Sequence, residues 1–136
     1  MEKLIMITAK TEQGYCCTCD LLPGWMVASE GTLDEFKKEV SESVDFFVRC
    51  AKEDGAEYPA FLDGEYEILY SFDVRALLCF LRGLMTFASI ERITGINQKQ
   101  LAHYAAGRSV PRAEQRSKIE SGLRHFGLEL SEIRVS

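Results

Sequence analysis

Gln98, Lys99, Gln100 and His103 crowd hydrogen-bonding side chains into one short segment, and Arg108 and Arg112 follow just beyond it. A glutamine amide can pair with adenine through two hydrogen bonds, and a lysine can reach the acceptor edge of guanine. Arginines past the end of such a segment suit phosphate, whose contacts add affinity without sequence information. A second group differs in kind: Asp34, Glu35, Glu39, Glu42 and Asp45 put carboxylates along one amphipathic stretch, with Lys37 and Lys38 in partial compensation. Such a face can steer and hold a basic partner, although a solvated helix presents the same composition.

The two groups lie in halves of opposite charge. From Met1 to Tyr70 there are 6 Lys+Arg against 15 Asp+Glu, a net of −9; from Ser71 to Ser136 there are 10 against 6, a net of +4. An acidic chain therefore contains a basic half, in which Arg82, Arg92, Lys99, Arg108, Arg112, Arg116, Lys118 and Arg124 surround the first group.

Positioning that first group requires a scaffold, which Ile90 to Pro111 (IERITGINQKQLAHYAAGRSVP) supplies. Ile90 and Ile93 give a first helix an apolar face, Gly95 can take the left-handed conformation that ends it, and Ile96 turns inward. Asn97 is a good N-cap, and Gln100 stands at capping-box spacing from it. Leu101, Tyr104 and Ala105 form the inner face of the second helix, which Gly107 and Pro111 stop. The outward face then carries the polar group, the arrangement of a DNA-binding helix-turn-helix. Glu91 falls where such motifs usually place a small residue at the helix crossing. Its carboxylate must reach solvent or pair, Arg92 and Arg108 being the nearby arginines.

The acidic half reads differently. Lys3–Lys10 suits a half-buried strand whose alternation is loose, Tyr15–Leu21 a second with Tyr15, Cys17 and Cys19 on one face, and Trp25–Ala28 a third after the Pro23-Gly24 turn. Thr32 caps a helix with Glu35 at the capping-box position. Phe36, Val40, Val44, Phe47 and Val48 share its inner side to about Glu53. Ala56–Gly64 is a connection, and Tyr66, Ile68 and Tyr70 alternate in a fourth strand, Glu65–Phe72. At Asp73 the period becomes helical, with Val74, Leu77, Leu78, Leu81 and Leu84 in one stripe. Arg112–Phe126 is a further helix ended by Gly127, before an apolar tail of Leu128, Leu130, Ile133 and Val135. The expected fold is α+β: a β-β-β-α-β domain over 1–72, helix packed on one sheet face, followed by a small all-α domain over 73–136.

Hydrophobic content of 46% is ordinary, and no apolar run approaches the roughly 18 residues of a membrane span. MEKLIMITAK has no export signal, so a cytoplasmic location is expected. Five cysteines, with Cys16 and Cys17 adjacent on a strand and Cys50 and Cys79 isolated, argue against a disulfide framework or a tetrahedral metal site. Free thiols and no cofactor are expected.

Gly14-Tyr15, Asp20-Leu21-Leu22-Pro23-Gly24 and Gly31-Thr32-Leu33-Asp34-Glu35, in this order, resemble the pattern of HicB-type antitoxins of type II toxin–antitoxin systems. TGINQKQLAHYAAG and PRAEQRSKIESGLRHFG resemble the Cro/repressor type of helix-turn-helix, and together the matches cover nearly the whole chain. The resemblance implies a truncated ribonuclease-H-like fold for 1–72. It implies a partner, a small HicA-type ribonuclease toxin held by that half, and repression of the shared operon by the other half bound to operator DNA. A homodimer or higher even oligomer is expected, because one such motif reads a half-site, with the apolar tail as its contact.

Two other classes compete with this reading. A nuclease would need several carboxylates converging on two metals about 4 Å apart. Asp20 and Glu67 are the only strand candidates, so catalysis is not expected. A helix-turn-helix regulator with a ligand-sensing first domain would use Tyr15, Trp25, Tyr66 and Tyr70 as pocket walls, whereas aromatics on a half-buried sheet more often form core.

Overall fold

The computed structural model describes all 136 residues and is of mixed α+β class, with a four-stranded sheet and five α-helices. It divides into two compact units, Met1–Ala76 and Leu77–Ser136, the division falling within the first turn of a helix that begins at Val74.

In the first unit, β1 (Glu2–Lys10), β2 (Gly14–Thr18) and β3 (Met26–Glu30) form an antiparallel meander, and β4 (Tyr66–Phe72) pairs with β1 in parallel, giving the order β3-β2-β1-β4. α1 (Leu33–Asp54) makes the return that a parallel neighbour demands. Its start is set locally: Thr32 is extended and its hydroxyl accepts the Glu35 N–H at 3.2 Å. Phe36, Val40 and Val44 are fully buried against the sheet, where Leu4, Met6, Tyr15, Cys17 and Val27 meet them, and Phe47 and Val48 pack at the margin.

Three sequence expectations change here. The third strand begins at Met26, not Trp25; Trp25 instead drops into the core, 8% exposed, and its Nε1–H donates to Ser43 Oγ on α1 at 3.0 Å. β1 proves strictly one-sided. Leu4, Met6 and Thr8 face α1, while Ile5 (45% exposed) and Ile7 (48%) stand on the opposite, open face. β-branched residues favour a pleated backbone whichever way they point, so the loose polarity of the pattern hid a regular strand. Within the connection to β4, Ala60–Asp63 forms a short 3-10 turn that buries Leu62.

α2 (Val74–Arg82), whose first three residues belong to the first unit, starts where Asp73 Oδ1 accepts the Ala76 N–H at 2.7 Å, and in the second unit it buries Leu78 and Leu81. It stops at Gly83, so Leu84 lies outside the expected stripe and is 68% exposed. α3 (Phe87–Thr94) and α4 (Gln98–Ala105) follow, then α5 (Ala113–Ser131). α3 packs against both α4 and α5, around Ile90, Ile96, Leu101, Tyr104 and Ile119. α5 continues through Gly127 instead of ending there. A helical glycine costs only about 1 kcal/mol relative to alanine, and His125 and Glu129, 2.6 Å apart and one turn from each other, bracket that position.

Candidate functional site

The join between α3 and α4 is three residues long and wholly specified by local chemistry. Gly95 takes φ 78°, a left-handed conformation open to glycine without strain, and its N–H bonds to Glu91 O at 2.7 Å. Thr94 is buried; its hydroxyl donates to Ile90 O at 2.8 Å and accepts the Ile96 N–H at 3.3 Å, so no polar atom is stranded in the turn. Asn97 caps α4 by accepting the Lys99 N–H at 2.8 Å.

The polar group divides on this scaffold. Leu101 (0% exposed) and Tyr104 (6%) face inward and half-buried Ala105 flanks them, leaving Gln98, Lys99, Ala102 and His103 exposed on the outward face of α4. Gln100 is half-buried and does not close a capping box: its Nε2 donates to Ser109 Oγ at 3.1 Å, tying α4 to the loop that follows it. A glutamine at that spacing can cap, but here it lies toward the C-terminal loop, which offers a hydroxyl. Arg108 and Arg112 are exposed, the first beyond the left-handed Gly107 and the second at the N-cap of α5, beside Arg116, whose Nη1–H donates to Pro111 O at 2.9 Å.

Sequence reasoning missed one residue of this face and the partner of another beside it. Ala102 is a small apolar side chain set among Gln98, Lys99 and His103, of the kind that meets a thymine methyl, and its only sequence signal is helical spacing. Glu91 pairs with neither Arg92 nor Arg108; its Oε1 accepts the Gln98 N–H at 2.8 Å. A carboxylate at the crossing thus becomes a second cap for α4, a use visible only once two helices meet.

The five carboxylates of α1 named from the sequence, Asp34, Glu35, Glu39, Glu42 and Asp45, are all exposed, and they part to two sides. Glu35, Glu39 and Glu42 line a shallow groove against β3 with Ala28, Ser29, Glu30 and Lys38, whereas Asp45 lies toward β4, where its charge helps to raise the Tyr66 phenol above its ordinary value, burial being the larger cause. Asp34 stands in the first turn of α1, beside Glu35, where the helix dipole favours acids. Phe46, 59% exposed, carries the Arg49 guanidinium over its ring at 5.6 Å.

The residues weighed for other chemistries are placed elsewhere. Glu67 sits on the open face of β4 level with Lys3, 4.0 Å from its ammonium, whereas Thr18, two residues before Asp20, is level with Ile7 on β1; the sheet keeps the two acids apart. No three histidine, cysteine, aspartate or glutamate side chains gather as a metal site, and the five cysteines are free. Burial, reinforced by Cys16 and Cys19, pushes the Cys17 thiol up to about 12, so it persists as a neutral core group. Tyr15 and Trp25 are buried, while Tyr66 and Tyr70 pack at the edge of the same core; the Tyr15 ring lies 5.7 Å from that of Phe36, itself 6.1 Å from Tyr70. No helix is long and apolar enough to cross a membrane. Neither a family model, nor a curated protein, nor a solved structure matches the chain.

Proposed function

We propose that the chain is an antitoxin of the HicB type, whose second unit is a helix-turn-helix that binds operator DNA and whose first unit, a truncated ribonuclease-H-like fold, holds a basic HicA-type ribonuclease. The observation that carries the reading is the outward face of α4: Gln98, Lys99, Ala102 and His103 stand exposed on a helix fixed against α3 by a glycine turn, within the half of net charge +4. DNA offers that face both a phosphate field and base edges. For the first unit the support is charge: an RNA-cutting partner must be basic to hold its substrate, and Glu35, Glu39 and Glu42 with Glu30 give it an acidic groove. The protein acts as a homodimer or higher even oligomer, since one α4 reads one half-site. Leu128, Leu130, Ile133 and Val135, all at least half exposed, are the contact, and a monomeric mass at micromolar concentration removes this part.

The DNA-binding half is tested by fluorescence anisotropy on the duplex upstream of the chain's own reading frame and on a scrambled duplex. Gln98→Ala or Lys99→Ala is expected to cost about 1–3 kcal/mol on the upstream duplex and to blur one base position. Arg108→Ala and Arg112→Ala are expected to weaken binding to both duplexes and to flatten the salt dependence. Equal losses on both duplexes for the α4 variants would mean that another face reads DNA. A short basic reading frame beside this one, whose product co-purifies with the chain, is the corresponding expectation for the first unit.

A further inference from the structure

The start of a helix carries partial positive charge and free N–H groups, which makes it a natural seat for a phosphate. At α4 the chain fills that seat itself. Glu91 Oε1 accepts the Gln98 N–H and Asn97 Oδ1 accepts the Lys99 N–H, both at 2.8 Å. The helix start favours a carboxylate over a neutral group, but the hydrogen bond itself does not require a charge, because a glutamine offers the same carbonyl acceptor. Yet Glu91 is the only acid between Asp73 and Glu114, a stretch that includes Arg75, Arg82, Arg92, Lys99, Arg108 and Arg112. The one negative charge of that stretch thus stands beside the first residue of the outward-facing helix, Glu114 being the next acid along the chain, in the first turn of α5.

Resting on the reading of α4 as the base-contacting helix, we propose that Glu91 is a specificity-determining residue, its carboxylate denying the start of α4 to a DNA phosphate. A duplex of arbitrary sequence can slide until a phosphate meets any open N–H group, and this is how helix starts add affinity without selectivity. Glu91 repels that phosphate and occupies one of the N–H groups it would use. On the cognate duplex the contacts of Gln98, Lys99, Ala102 and His103 set the register, so the same charge costs less there. Affinity for DNA in general falls, and the ratio between cognate and arbitrary DNA rises.

Glu91→Gln keeps the acceptor and removes the charge. It is expected to keep the fold, with a melting temperature lowered slightly by the lost attraction of the charge for the helix start, and to tighten binding to the scrambled duplex about fivefold at low ionic strength, the scale of one charge pair at close range in water. Binding to the duplex upstream of the reading frame should change by less, so the ratio falls. Asn97→Asp is the reverse test: it keeps a capping oxygen at the same place, adds a charge and is expected to weaken scrambled binding selectively. Glu132→Gln, the same charge change at the far end of α5, should leave the ratio as it was. An unchanged ratio in both Glu91→Gln and Asn97→Asp, or equal tightening on both duplexes, overturns the assignment of Glu91 while leaving DNA binding standing. A wild-type chain that binds neither duplex overturns both.

Discussion

Phe36→Ala is expected to cost the first unit about 3–5 kcal/mol, the range for a fully buried phenylalanine truncated to alanine. Phe36 is 0% exposed, at the centre of the core between α1 and the sheet, with the rings of Tyr15 and Tyr70 against it. These neighbours are held by strand pairing and cannot collapse into the space, which places the substitution at the costly end. A unit of this size holds only a few kcal/mol of stability, so the loss should unfold much of it near physiological temperature. Hydrogen exchange reads the result directly: amides of β1, β2 and α1 should lose protection while those of α3, α4 and α5 keep theirs. On the proposed function, the variant loses neutralisation of the ribonuclease and retains DNA binding. Equal loss of protection in both units would show that they do not fold independently.

Gly122→Val is expected to cost the second unit about 3 kcal/mol, the upper part of the range for forcing extra atoms into a packed contact. A Cβ at Gly122 would stand 2.5 Å from Ile93 O and 3.0 Å from Thr94 Cα, both backbone atoms of α3 that cannot swing aside. α5 must then move away from α3, uncovering Ile90 and Ile119 and releasing the helix that carries the glycine turn. Gly122→Ala should destabilise as well, although alanine gains up to about 1 kcal/mol of helix propensity over glycine. A melting temperature that rises in the alanine variant would show that α3 and α5 do not approach this closely.

The sequence by itself determined what depends on neighbours a few residues apart. Thr32 with Glu35 starts α1 and its apolar period selects the buried face; Tyr66, Ile68 and Tyr70 alternate because a strand must; Gly95 ends α3 and Asn97 starts α4 through backbone groups next to them. The same period turned Gln98, Lys99 and His103 outward, so the exposed face of α4 was legible before any packing was known. Tertiary structure decided the rest, because the deciding partner lies far along the chain. The parallel pairing of β4 with β1 joins residues some sixty positions apart, and it leaves Ile5 and Ile7 on an open face that no local pattern identifies. Gln100, spaced to cap its own helix, bonds instead to Ser109; Glu91, awkward as a residue at a helix crossing, becomes the second cap of α4. A polar side chain pairs with the nearest free donor or acceptor, and which partner is nearest is settled only when helices pack. Gly127, a stop signal in isolation, is carried through by the helix on either side of it, since its cost is small against a continuous α5.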